Sequence, residues 1–125
     1  MAKIRGLLKF TSEERFVAWA REYAKVYARI YAPDDGIAEV EEIIVHERAH
    51  FEMARSLGYD PVYQVFGLID SNGDPNNTIV DAYQVDYRGK RPIGDDLIKI
   101  LLAPKDPSRE DIDNADKARK TLENK

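Results

Sequence analysis

The stretch HERAHFEMARSLGYDPVYQVFGLID, residues 46–70, changes its hydrophobic period near its middle. Up to Leu57 the apolar positions recur at helical spacing, and Gly58, Tyr59 and Pro61 then form a C-terminal stop signal. From Val62 to Ile69 the residues are rich in Val, Tyr, Phe, Leu and Ile at a period near two, which predicts a strand. Upstream, Asp34-Asp35-Gly36 offers a tight link with an N-cap, so the helix that carries His46 is expected to begin near Gly36. Before the link, Phe16, Trp19, Ala20, Tyr23, Tyr27 and Ile30 mark an amphipathic helix of about five turns. Thr11-Ser12-Glu13-Glu14 reads as the capping box that opens it, and Pro33 stops it. Two long helices with so short a connection predict an antiparallel helical hairpin, with the aromatic stripe of the first turned to the core.

Downstream, Thr78 to Tyr87 predicts a second strand. It is separated from the first by the turn formers Asp70-Ser71-Asn72-Gly73-Asp74-Pro75-Asn76-Asn77. Residues 88–94 form another turn, and Lys3 to Phe10 is a candidate third strand. Leu97 to Leu102 is too short an apolar run for periodicity to separate a strand from a buried helix. Pro107-Ser108 opens a polar C-terminal helix with a thin stripe of Ile112, Ala115, Ala118 and Leu122. The expected architecture is α+β: a helical hairpin packed on a small antiparallel β-sheet, with a C-terminal helix. The 125 residues should form a single domain, 1–125.

The chain has 19 Lys+Arg, 23 Asp+Glu, two His and no Cys, a formal net charge of −4. Without cysteine there is no disulfide, thiolate ligand or thiol nucleophile. No apolar run approaches the length of a membrane span, and residues 1–6 lack a signal-peptide core, so a cytoplasmic protein is expected. The acidic balance argues against nucleic-acid binding, which needs concentrated basic surface. The many charged side chains, the absence of Cys and the scarcity of Gln (Gln64 and Gln84) resemble a thermophile profile. The charge is uneven: residues 1–32 carry +4 and residues 34–60 carry −6, and both histidines lie in the acidic stretch.

Those histidines are His46 and His50, in the order His46-Glu47-Arg48-Ala49-His50. Four residues apart on a helix, two imidazoles can reach one metal ion. Zinc suits such a pair with one carboxylate, because it keeps an open position for a water whose pKa it lowers to about 7. Glu47 falls in the middle of the apolar face made by Val40, Ile44, Phe51 and Ala54. His50 lies about 60° and His46 about 100° to one side of that face. A carboxylate among apolar residues is costly unless it meets a cation, carries a proton or works as a base. The other explanation for it is an internal salt bridge to an N-terminal arginine.

Over Ile43 to Glu52 the chain resembles the HExxH motif of zincin-type zinc metallopeptidases. That resemblance implies His46 and His50 as zinc ligands, Glu47 as the general base, and a peptide or other small carbonyl compound as substrate. With no third histidine, the third ligand must be a carboxylate. Asp81 is the first choice, because strand alternation would place it on one face with Ile79, Tyr83 and Val85. Glu42, one turn before His46, and Glu110, Asp111 and Asp113 of the C-terminal helix are the other sources. Tyr83 or Tyr87 could donate a hydrogen bond to a developing oxyanion.

Two further readings are open and a third is set aside. Glu47-x-x-His50 is also the half-motif of ferritin-like di-iron bundles, which would require an inward Glu from the preceding helix. The aromatic helix and the hairpin could instead build a non-enzymatic homodimer. Asp70-x-Asn72-x-Asp74, with Asp81 at the twelfth place, has the acidic spacing of a calcium loop, but Pro75 stands where that loop needs glycine and helices do not flank it. A turn between strands accounts for it.

Overall fold

The computed structural model describes residues 3–30 and 36–123. In chain order these form β1 (Lys3–Phe10), α1 (Glu13–Ile30), α2 (Gly36–Ser56), β2 (Asp60–Asp70), β3 (Ile79–Arg88), α3 (Gly94–Leu101) and α4 (Arg109–Glu123), with a single 3-10 turn at Pro75–Asn77. The fold is α+β, and its antiparallel sheet has the order β1-β2-β3 with β2 central. Pro33 and the Asp34-Asp35 link, and the side chains of Tyr27 and Ile30, lie outside the described residues. No helix among the described residues is long and apolar enough to cross a membrane.

α1 and α2 run antiparallel, as their ion pairs record: Arg21 meets Glu41 at 2.7 Å and, at the other end, Arg48 meets Glu13 at 3.0 Å. α1 opens one residue later than the Thr11 capping box implies, because Ser12 Oγ accepts from Arg15 N at 3.3 Å. α2 ends as its glycine requires. Gly58 has φ +91, with Tyr59 N bonded to the Ala54 carbonyl and Gly58 N to that of Arg55. These are the two backbone bonds of a left-handed C-cap. The ambiguous segment around Leu97 is a helix, with Ile100 fully buried.

The core lies between the helical hairpin and one face of the sheet. Tyr63 of β2 is stacked between Phe16 of α1 and Phe51 of α2, at centroid distances of 4.2 and 4.4 Å. Its hydroxyl donates to Glu13 Oε1, the same atom that receives Arg48 Nε. Beside this stack, Trp19 Nε1 donates to the Gly73 carbonyl at 2.8 Å and ties α1 to the β2–β3 turn.

The β2–β3 turn is organised around Asp70. The Asp70 carboxylate accepts from Asn77 Nδ2 and from the backbone N–H groups of Asn72 and Asp74, at 2.7 to 3.2 Å. These donors, Asn77 first, hold its pKa below the ordinary carboxylate range.

The β2–β3 register breaks between Phe66 and Gly67: Phe66 faces Ala82 but Gly67 faces Val80, leaving Asp81 as the extra residue of a bulge. A Cβ at Gly67 would come within 2.0 Å of the Ile79 carbonyl oxygen, so only glycine fits. Replacing Gly67 with Ala should cost at least about 2 kcal/mol, read from the urea midpoint. The lowered Asp70 pKa stabilises the fold above the ordinary carboxylate value near 4 and is lost as pH falls through its native value. Asp70→Asn should therefore be less stable at pH 7, and the gap to wild type should stay constant down to about pH 4 and close below it.

Candidate metal centre

α2 presents three of the sequence-identified residues on adjoining faces. Phe51 and Ile44 are buried against the sheet side, and Glu47, one turn from Phe51, is carried inward with them to 9 % exposure. His50 is 7 % exposed and His46 partly so, both on the flank that meets α3 and α4.

α3 fixes the inner imidazole. His50 Nδ1 lies 2.7 Å from the Ile100 carbonyl oxygen, which can only accept, so Nδ1 carries the proton. The other ring nitrogen, Nε2, faces His46, whose Nε2 is 3.2 Å away.

α4 brings the carboxylate. Ser108 caps this helix: its Oγ accepts from Asp111 N at 3.0 Å, while Ser108 N donates back to Asp111 Oδ2 at 3.1 Å. This reciprocal pair is a capping box, and it folds the Asp111 side chain over the helix N-terminus. The same Oδ2 lies 2.9 Å from His46 Nε2 and 3.2 Å from His50 Nε2.

His46, His50 and Asp111 thus form a group that could hold a metal ion. Tetrahedral zinc with bonds of about 2.0–2.1 Å places its ligand atoms about 3.3 Å apart. A triangle with sides of 2.9, 3.2 and 3.2 Å matches that spacing closely. The two imidazole nitrogens and the carboxylate oxygen would be the residues' donors to such an ion. The group lines a cleft of about 680 Å³, whose walls include Glu47, Tyr83, Tyr87, Leu97 and Ile100.

Glu47 has neither a hydrogen bond nor an ion pair among the described residues. The N-terminal arginines Arg5 and Arg21 pair elsewhere, with Asp81 and Glu41. Burial, reinforced by the charge of Asp111, pushes the Glu47 carboxyl up to about 8.

Asp81 does not join the histidines. The bulge breaks the alternation that placed it on the inner face: Val80, Tyr83 and Val85 pack on the core. Asp81 is exposed and pairs with Arg5 at 2.8 Å. Of the other carboxylates considered, Glu42 and Glu110 are exposed residues of the cleft wall and Asp113 is exposed on α4. Asp111 alone of them reaches the imidazoles. Its signal in the sequence is the Ser108-x-x-Asp111 pattern, which marks a first-turn carboxylate folded back on its helix. The di-iron arrangement lacks its second glutamate, since on α1 Glu22 is exposed and Glu13 is engaged by Arg48 and Tyr63.

No family model, curated protein or solved structure matches this chain.

For a divalent ion held by this group, Ser108→Ala should weaken binding by about 10-fold, within the range for groups that orient a ligand. Asp111→Asn should weaken it more. Competition with a chromophoric chelator measures both, and circular dichroism checks that α4 persists.

Proposed function

We propose that the protein is a zinc-dependent hydrolase of the peptidase type, with His46, His50 and Asp111 as metal ligands and Glu47 as general base. The observation that carries this reading is the triangle of Nε2, Nε2 and Oδ2, at a spacing near that of tetrahedral ligands, beside a buried carboxylate that has no cationic partner among the described residues. A divalent ion there would supply Lewis acidity, activating a water and polarising the carbonyl to be attacked.

The protein's own groups fit the remaining tasks. Glu47, a buried carboxylate on the wall of the same cleft, suits taking a proton from the attacking water and giving it to the leaving group. Tyr87 lines the same cleft, and its phenol, pushed up to about 12 mainly by burial, stays protonated and able to donate to a developing oxyanion. Among the described residues β3 pairs with no strand but β2, and its other edge is covered at Val80, whose N–H donates to the Tyr23 hydroxyl at 3.1 Å. Residues 82–85 and Tyr87 of that strand line the cleft, which suits an extended peptide laid along the edge. Two histidines and one carboxylate also serve iron(II). The unpaired glutamate beside them favours hydrolysis.

Protein purified without added metal should contain close to one equivalent of zinc by elemental analysis, and His46→Ala or His50→Ala should lose it. Glu47→Gln should keep the zinc while hydrolysis of a quenched peptide library falls at least 100-fold. Metal-free wild type, or a metal content indifferent to both histidine changes, would sink the proposal. Zinc retained with no hydrolysis in wild type would make the site structural.

A further inference from the structure

α1 and α2 cover one face of the sheet, where Tyr63, Val65 and Ile69 of β2 join the buried core. Strand alternation sends Phe66 and Leu68 to the opposite face, with Leu7 of β1 and Ile79 and Ala82 of β3 beside them in register. Leu7 is 41 % and Ile79 46 % exposed, Ala82 is exposed, and Phe66 and Leu68 are half-buried. These five side chains form an apolar patch that crosses all three strands. It ends at a polar row, in which Gln64 donates to Asp86 at 3.0 Å and accepts from Gln84 at 2.9 Å. An apolar centre with a polar rim is the anatomy of a contact surface. We propose that a second copy of this chain covers this face, the two sheets packing face to face about a two-fold axis parallel to β2.

Charge selects both the occupant and the axis. β1 carries Lys3, Arg5 and Lys9 on this face, and β3 borders it with Asp81 and Asp86. Lys3 and Lys9 have no ion-pair partner among the described residues, whereas Arg5 reaches across β2 to Asp81 at 2.8 Å. The face is therefore cationic along one edge and anionic along the other. A partner of uniform charge would meet both signs, but a second copy turned over meets each with its opposite. An axis parallel to β2 carries the partner's β1 over β3 at the same level. The partner's Leu7 then lies over Ala82, and the partner's Arg5 over Ile79 and Asp81.

The competing symmetric arrangements fail on the same charges. An axis across the strands would set β1 on β1, cation against cation. Joining the two sheets edge to edge through β1 would do likewise, and lysines on an edge strand are a common guard against that pairing. The face is three strands wide and eight residues long at β1, about 14 Å by 26 Å. That is small for an interface, so the dimer dissociates in the micromolar range. The proposal is independent of the metal centre, which lies beyond α2 on the other side of the sheet.

Sedimentation equilibrium from about 5 to about 500 µM should show the average mass rising from 14.3 kDa toward twice that value. Ile79→Lys should weaken association at least tenfold. Ile112→Lys, an equally exposed site on α4, should leave it unchanged. Circular dichroism confirms that both variants are folded. A monomer at every concentration overturns the proposal, as does association that Ile112→Lys weakens and Ile79→Lys does not. The chain has no cysteine, so single introduced thiols report the axis without background. Equal amounts of Leu7→Cys and Ala82→Cys protein are mixed and treated with a short bis-maleimide, and the products are resolved by intact mass. Mixed crosslinks should exceed either self-crosslink at least tenfold. A statistical mixture, or a dominant Leu7→Cys self-crosslink, overturns the assigned axis and with it the proposal.

Discussion

The ring of Tyr63 is held nearly parallel between those of Phe16 and Phe51, one from each helix of the hairpin. Each such contact contributes about 0.5–1.5 kcal/mol beyond the area it buries. The larger consequence is geometric. Phe51 cannot reach Tyr63 unless α2 is rotated so that its Val40, Ile44 and Ala54 side also faces inward, and those residues are buried. Glu47 stands one turn before Phe51, so the rotation that buries the ring also buries the carboxylate. His46 and His50 are thereby directed sideways, into the space that α3 and α4 enclose. The Tyr63 hydroxyl, Glu13 and Arg48 lock the same rotation from the polar side.

This constraint explains why the site carries an apparent conflict with the rules of a stable core. A carboxylate buried without a cation, beside the negative charge of Asp111, stabilises nothing. The chain could remove the conflict by placing an apolar residue at position 47, since the neighbours are already apolar. It instead surrounds the position with groups that make sense together: two imidazoles, a carboxylate locked by a helix cap, and an open cleft. Local departures from core packing that share one cleft are the usual mark of a working site.

How much of this was legible depended on whether the signal was local. The helices and strands were, because their hydrophobic periods differ and Gly58 and Pro61 punctuate the change. The pairing of His46 with His50 was equally local, since a helix fixes the distance between residues four apart. Asp81 was misplaced because strand alternation holds only while the register does. The bulge that breaks it arises from a close approach between Gly67 and the Ile79 carbonyl, on different strands. Asp111 was one of three carboxylates considered on the C-terminal helix, with Glu110 and Asp113, although Ser108 three residues earlier distinguishes it. That α4 lies against α2 is a tertiary fact, and no spacing within either helix encodes it.

The arrangement of α3 and α4 also bears on stability. Nε2, Nε2 and Oδ2 are all electron-rich, and at 2.9–3.2 Å they repel unless a proton or a cation lies among them. Two of these atoms belong to α2 and the third to α4, so whatever neutralises them also joins the C-terminal hairpin to the body of the fold. Ile100 makes the same connection through its carbonyl bond to His50. An ion at the centre would therefore add its binding free energy to the docking of α3 and α4, as linkage requires of any ligand that prefers the folded state. Positioning of the carboxylate and cohesion of the C-terminal third then depend on the same three atoms. The acidic excess of residues 34–60, which contain α2, favours a cation at that place.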